Sequence, residues 1–227
     1  SMLCGAGVFL FTHRIEAKGK RVAALHYKSM FWLLFFGLIH AYFIWVGDIL
    51  VAYAICGSLV FFFRKKSIRT LFIMAIILFL IPIIFNFMTF YGMPADELES
   101  TFAFFHPSTE EIASQTQAMR GSYLKQMPLR MEEALGLQTV VFMIEIFWRT
   151  SAMMLLGMIL FRKGILSADK STAYYKKMIW VGFVPGLILS SIGLGQVYAS
   201  EWSGAYVMNI GANYKFMSGL FMALGYI

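Results

Sequence analysis

The sequence predicts an all-α fold, a polytopic transmembrane helix bundle, from three observations. Of its 227 residues 59% are hydrophobic and only 14% charged, against roughly 45–50% and 25% in soluble domains. The apolar residues fall in runs near the length of about 20 residues that a bilayer crossing needs. The charges collect in short clusters between those runs. One aqueous core cannot hide so much apolar surface in a chain of this size, so lipid is the matching solvent.

The runs can be taken in order. Residues 2–12 are apolar, carry Gly5 and Gly7, and end at His13-Arg14; small residues of this kind let membrane helices approach closely. A basic loop leads to the second span, 29–45. A tight turn at Val46–Asp48 joins it to the third, 48–63, which stops at Arg64-Lys65-Lys66. The fourth, 68–91, contains Pro82 and Asn86. Pro82 removes a backbone donor and should kink the helix. A polar loop follows over 92–137. Within it Ser108 precedes Glu110 and Glu111, a helix start with a capping hydroxyl and acids in the first turn, so 110–125 reads as a surface helix. The fifth span is 138–161. The sixth is 178–198, with Gly182 and Gly186 one turn apart as a close-packing face. A short polar loop, 201–213, precedes a last run from Tyr214. The expectation is one transmembrane domain over 1–227, a fragment with five complete and two partial spans, cut at both ends.

Loops after the first, third and fifth runs are basic, and those after the second, fourth and sixth are neutral or acidic. The positive-inside rule then places the basic loops in the cytoplasm. The 92–137 loop, the Val46–Asp48 turn and the Glu201 loop face outward. The net charge of +7 is spread over these anchoring clusters, with no basic face interleaved with aromatics, which argues against nucleic acid. Cys4 and Cys56 lie in apolar spans and read as small buried residues. No metal-ligand cluster, phosphate loop or nucleophile elbow is present, so a metal and a permanently bound cofactor are not expected.

Few ionisable residues lie within the spans, and these are functional-site candidates because a charge there is expensive. His40 is seven residues before Gly47, roughly 10 Å below the outer surface at the helical rise. Glu145 is seven residues into its span, roughly 10 Å deep, and Arg149 follows one turn later on the same face. Asp48 sits at the rim. Each has a bland reading: a histidine bonded to a neighbouring helix, a self-neutralising i,i+4 pair, an acid starting a helix. His13, His26 and His106 read as solvated. Read together as catalytic residues, His40 is a general base or acid, Asp48 its orienter, and Arg149 with Glu145 an electrostatic wall for an oxyanion or phosphate. The set suffices for acyl transfer, and equally for the proton relay of a coupled transporter. A structural or signalling protein whose charges only pair with each other is a third reading.

The hairpin GLIHAYFIWVGDILVAYAICG, residues 37–57, resembles the signature of the YeiB-like family of bacterial inner-membrane proteins, built around a domain of unknown function. MLCGAGVFLFTHR at 2–14, the acid-arginine helix with LLGMILFRKGIL at 155–166, and the Gly-rich sixth span fit the same pattern. The resemblance covers most of the chain outside 92–137. That family is similar in turn to membrane acyltransferases of the heparan-glucosaminide N-acetyltransferase type. The resemblance implies a bundle of about ten helices, with an arginine-glycine motif in helices ahead of Ser1. It also implies a multi-pass location in the bacterial inner membrane, and acyl groups passed from a cytosolic donor such as acyl-CoA to an outward-facing glycan or small-molecule acceptor.

Overall fold

The computed structural model describes residues 1–227, and every regular element in it is a helix. They are α1 (Met2–Ala17), α2 (Val22–Ile44), α3 (Leu50–Phe63), α4 (Ile68–Gly92), α5 (Ala95–Thr101), α6 (Thr109–Met119), α7 (Tyr123–Arg162), α8 (Thr172–Ala199) and α9 (204–225). Of these α2, α4, α7 and α8 are long and apolar enough to cross a membrane. Their large side chains face outward rather than into a core: Phe36 on α2 is 57% exposed and Trp180 on α8 70%. Helices apolar on the outside need lipid around them.

Three sequence expectations change. The third span is a helix of only 14 residues, counted from Leu50 to Phe63, because Asp48 and Ile49 are used to start it; it is shorter than a standard crossing. The 92–137 stretch is not a loop. It holds α5, α6 and the beginning of α7, and the surface helix expected over 110–125 ends at Met119. Gly121 and the extended Ser122 break it, and α7 starts at once. The polar 201–213 stretch is likewise helical from Gly204 onward.

Two compact units are formed. The first comprises 1–79 and 113–167. Its core joins Val8, Cys56, Val60, Leu71, Met154, Leu155 and Met158, from α1, α3, α4 and α7. α1 and α7 cross through glycines: a Cβ added to Gly5 would lie 1.9 Å from the Met154 carbonyl oxygen, and one on Gly157 1.9 Å from that of Met2. Gly7 faces open space. Both helices end in the same way. Gly19 (φ +67°) and Gly164 (φ +72°) adopt the left-handed conformation, and Lys20 N–H reaches Ile15 O while Ile165 N–H reaches Leu160 O, so the last carbonyls are satisfied.

The second unit comprises 80–112 and 168–227. Here α8 and α9 form a hairpin packed on Gly182 and Gly186, as the sequence predicts; a Cβ on Gly182 would lie 2.4 Å from the Gly225 nitrogen. Asn86, one turn past Pro82 on α4, donates to Asn213 Oδ1 at 2.9 Å, and both are buried. Such a bond joins apolar helices that lack a hydrophobic drive to associate. At the start of α6, Ser108 N–H donates to Glu111 Oε2 (2.7 Å) and Glu111 N–H to Ser108 Oγ (3.2 Å). This is a capping box. The Ser108 N–H holds the exposed Glu111 carboxyl below the usual carboxylate range. A depressed carboxylate stabilises above its unfolded pKa and loses that contribution as pH falls through its folded pKa. Acidification is therefore expected to fray the first turn of α6 below the ordinary glutamate range, seen as faster amide exchange near Ser108; Glu111→Gln should flatten that dependence.

Candidate functional site

The hairpin of α2 and α3 builds the first half of the site. The last turn of α2, His40–Ile44, is widened to a π-turn, closed by Trp45 N–H on His40 O at 2.8 Å. Such turns insert one residue and recur at functional positions. The chain reverses over 45–49, and Asp48 caps α3. Its Oδ1 accepts the N–H of Leu50 (2.8 Å) and Val51 (3.1 Å). Its Oδ2 lies 3.1 Å from His40 Nδ1. The bland and the functional readings of Asp48 thus describe one residue: the backbone donors that start the helix also fix the carboxylate against the imidazole. The Asp48 side chain is fully shielded, and that of His40 is 31% exposed. A carboxylate is an acceptor only, so the facing Nδ1 carries the proton, and in the neutral ring Nε2 then presents its lone pair. Gly37 lets α2 approach, since a Cβ there would lie 2.8 Å from the Val51 nitrogen.

The second half lies on α7. Glu145 falls in a longer π-helical stretch, Leu137–Ile146, and accepts from Arg149 Nη1 at 3.2 Å. Both side chains are partly exposed, at 27% and 39%. The link to the hairpin is α3, whose Cys56 Sγ contacts the Phe147 carbonyl at 3.7 Å. Cys56 is eight residues beyond Asp48, about 12 Å along the helix axis. The structure therefore brings His40 to Asp48 and Glu145 to Arg149, with the pairs separated by two turns of α3. Two open clefts lie elsewhere. One, about 560 Å³, includes Gln117, Arg120 and Lys125; the other, about 370 Å³, includes Glu99, His106 and Glu201. None of the four predicted site residues lines either cleft.

Two groups escape sequence reasoning. His26 is not solvated: it is 1% exposed, bonded through Nε2 to Gly57 O (3.1 Å) and stacked on Phe61. Its basic neighbours Arg21 and Lys28 suggested a loop, but α2 begins at Val22. Tyr123 and Arg130, from the stretch read as a loop, hold the histidine turn. Tyr123 Oη donates to Phe43 O, and Arg130 Nη1 to Ile44 O at 3.1 Å. The sequence signal for them was the run of apolar residues Leu124, Met127 and Met131 at helical spacing.

Apolar helices of membrane length, with paired ionisable groups inside them, define an integral membrane protein. Among curated proteins the chain is similar to the uncharacterized protein YxaH of Bacillus subtilis (strain 168), 44% identical over 81 residues, which are 36% of this chain and 20% of that protein. It is distantly homologous to the uncharacterized protein YeiB of Escherichia coli (strain K12), 23% identical over 209 residues, 86% of this chain and 50% of that protein. The chain spans half or less of the length of these relatives. No family model matches it, and no solved structure matches it.

Proposed function

We propose that this chain belongs to a YeiB-like protein of the bacterial cytoplasmic membrane that transfers acyl groups, with His40 as its acid–base residue. The observation that carries the reading is the 3.1 Å contact of His40 Nδ1 with a carboxylate already locked by two backbone donors. A base oriented in this way is ready to act without rearrangement. His40 Nε2 takes the proton of an acceptor hydroxyl or amine as its oxygen or nitrogen attacks the thioester carbonyl. Collapse of the tetrahedral adduct breaks the carbon–sulfur bond, and the imidazolium returns the proton to the departing thiolate. Asp48 stabilises the imidazolium. Glu145 and Arg149 form a charged wall two turns deeper, on the side from which a cytosolic acyl-CoA would approach an acceptor held at the outer face.

The test is reconstitution of the full-length protein in proteoliposomes with radiolabelled acyl-CoA. Label appearing on an acceptor, with free CoA released, supports the reading; neither donor binding nor transfer overturns it. The partly exposed Glu145–Arg149 pair favours a second reading, a proton-coupled transporter in which that pair opens and closes with protonation. That reading expects gradient-dependent flux lost in Glu145→Gln, with no acyl-CoA bound.

A further inference from the structure

We infer that Arg130 and Tyr123 are positioning residues for the His40–Asp48 pair, acting through the backbone of the π-turn; this rests on the acid–base reading of His40. A helix leaves its last carbonyls without internal donors, and the hairpin turn follows at once, so Phe43 O and Ile44 O must be satisfied from outside. Both are: Tyr123 Oη donates to the first and Arg130 Nη1 to the second at 3.1 Å. The clamp is itself braced. Arg130 Nε donates to Gln126 Oε1 at 3.2 Å, and its guanidinium lies 5.9 Å over the Tyr123 ring. Gln126 in turn donates to Met119 O (2.9 Å) and Gly121 O (3.1 Å), which fixes the break that starts α7.

The consequence concerns aim rather than fold. His40 is the first residue of the widened turn, and Trp45 N–H closes the ring on its carbonyl at 2.8 Å. If that turn tightens to ordinary α geometry, the ring loses one residue and the exit of the chain rotates. Asp48 is bound to α3 by Leu50 and Val51, so it cannot follow, and His40 Nδ1 loses its acceptor. The clamp keeps the turn wide. It also sits on the same continuous helix, Tyr123–Arg162, that carries Glu145 and Arg149, so one helix meets both pairs.

The experiment is ring-¹⁵N NMR of histidine-labelled protein in nanodiscs, with the His40 signal assigned by its loss in His40→Gln. In the unmodified protein His40 is expected as the Nδ1–H tautomer that Asp48 enforces. In Arg130→Ala with Tyr123→Phe most of it should revert to Nε2–H, the form free imidazole favours, and kcat should fall roughly 10- to 100-fold, as for a small misplacement of a catalytic group. Arg130→Lys, which keeps charge and a donor, should restore part of both. An unchanged tautomer in the folded double variant overturns the positioning role. An Nε2–H tautomer in the unmodified protein would be a different failure, that of the acid–base pair itself.

Discussion

Asp48→Asn is expected to lower acyl transfer by roughly 10²–10⁴-fold, the range that general acid–base catalysis supplies, while leaving α3 in place. Asparagine keeps a carbonyl oxygen for the Leu50 and Val51 N–H groups, and it is as good a cap as aspartate. What it cannot keep is a second acceptor. Once one oxygen caps α3, an amide N–H₂ faces His40 Nδ1, which must then be the lone-pair nitrogen, so Nε2 carries the proton and no longer serves as base. Asp48→Ala removes the cap as well, costing about 1 kcal/mol of stability. Comparing the two in transfer rate and in thermal unfolding separates the chemical role from the structural one. A rate that tracks stability alone, with Asp48→Asn near the unmodified protein, would contradict the assignment.

Gly157→Leu should be the most damaging single change to the fold. The missing Cβ would sit 1.9 Å from Met2 O, and that neighbour is backbone, which cannot turn aside as a side chain would. α1 and α7 must separate, taking with them Met154, Leu155 and Met158, all fully buried in the core. Gly157→Ala already carries the clash and is expected to cost ~3 kcal/mol, at the upper end of overpacking; leucine should exceed it. Gly7→Ala, on α1 beside the same crossing but facing open space, is the control and should stay within ~0.5 kcal/mol. Unfolding followed by tryptophan fluorescence in detergent checks the order; equal losses at Gly7 and Gly157 would refute the crossing.

The membrane class and the helical class were legible from composition and run length, because lipid imposes helix on every apolar span. Capping chemistry was legible too, at Ser108 and at Asp48, since it is set by neighbours in sequence. Two kinds of feature were not. The widened turns at His40–Ile44 and Leu137–Ile146 leave no periodic mark, and the first is held by partners distant in sequence, such as Arg130 on Ile44 O. The polar composition of 92–137 read as loop, yet polarity excludes only lipid and not helix; α6 and the first turns of α7 are helices that keep most of their polar residues exposed. The same error hid His26, whose basic neighbours suggested a loop although its own ring is stacked in the interior.

The most direct measurement is acyl transfer from labelled acyl-CoA by the full-length protein and its His40→Ala variant, reconstituted side by side at matched insertion. Transfer by the parent, and a loss of roughly two to four orders of magnitude in the variant with its unfolding temperature unchanged, is the expected result. Transfer at the parent's rate without the imidazole would show that the chemistry is done somewhere other than the hairpin.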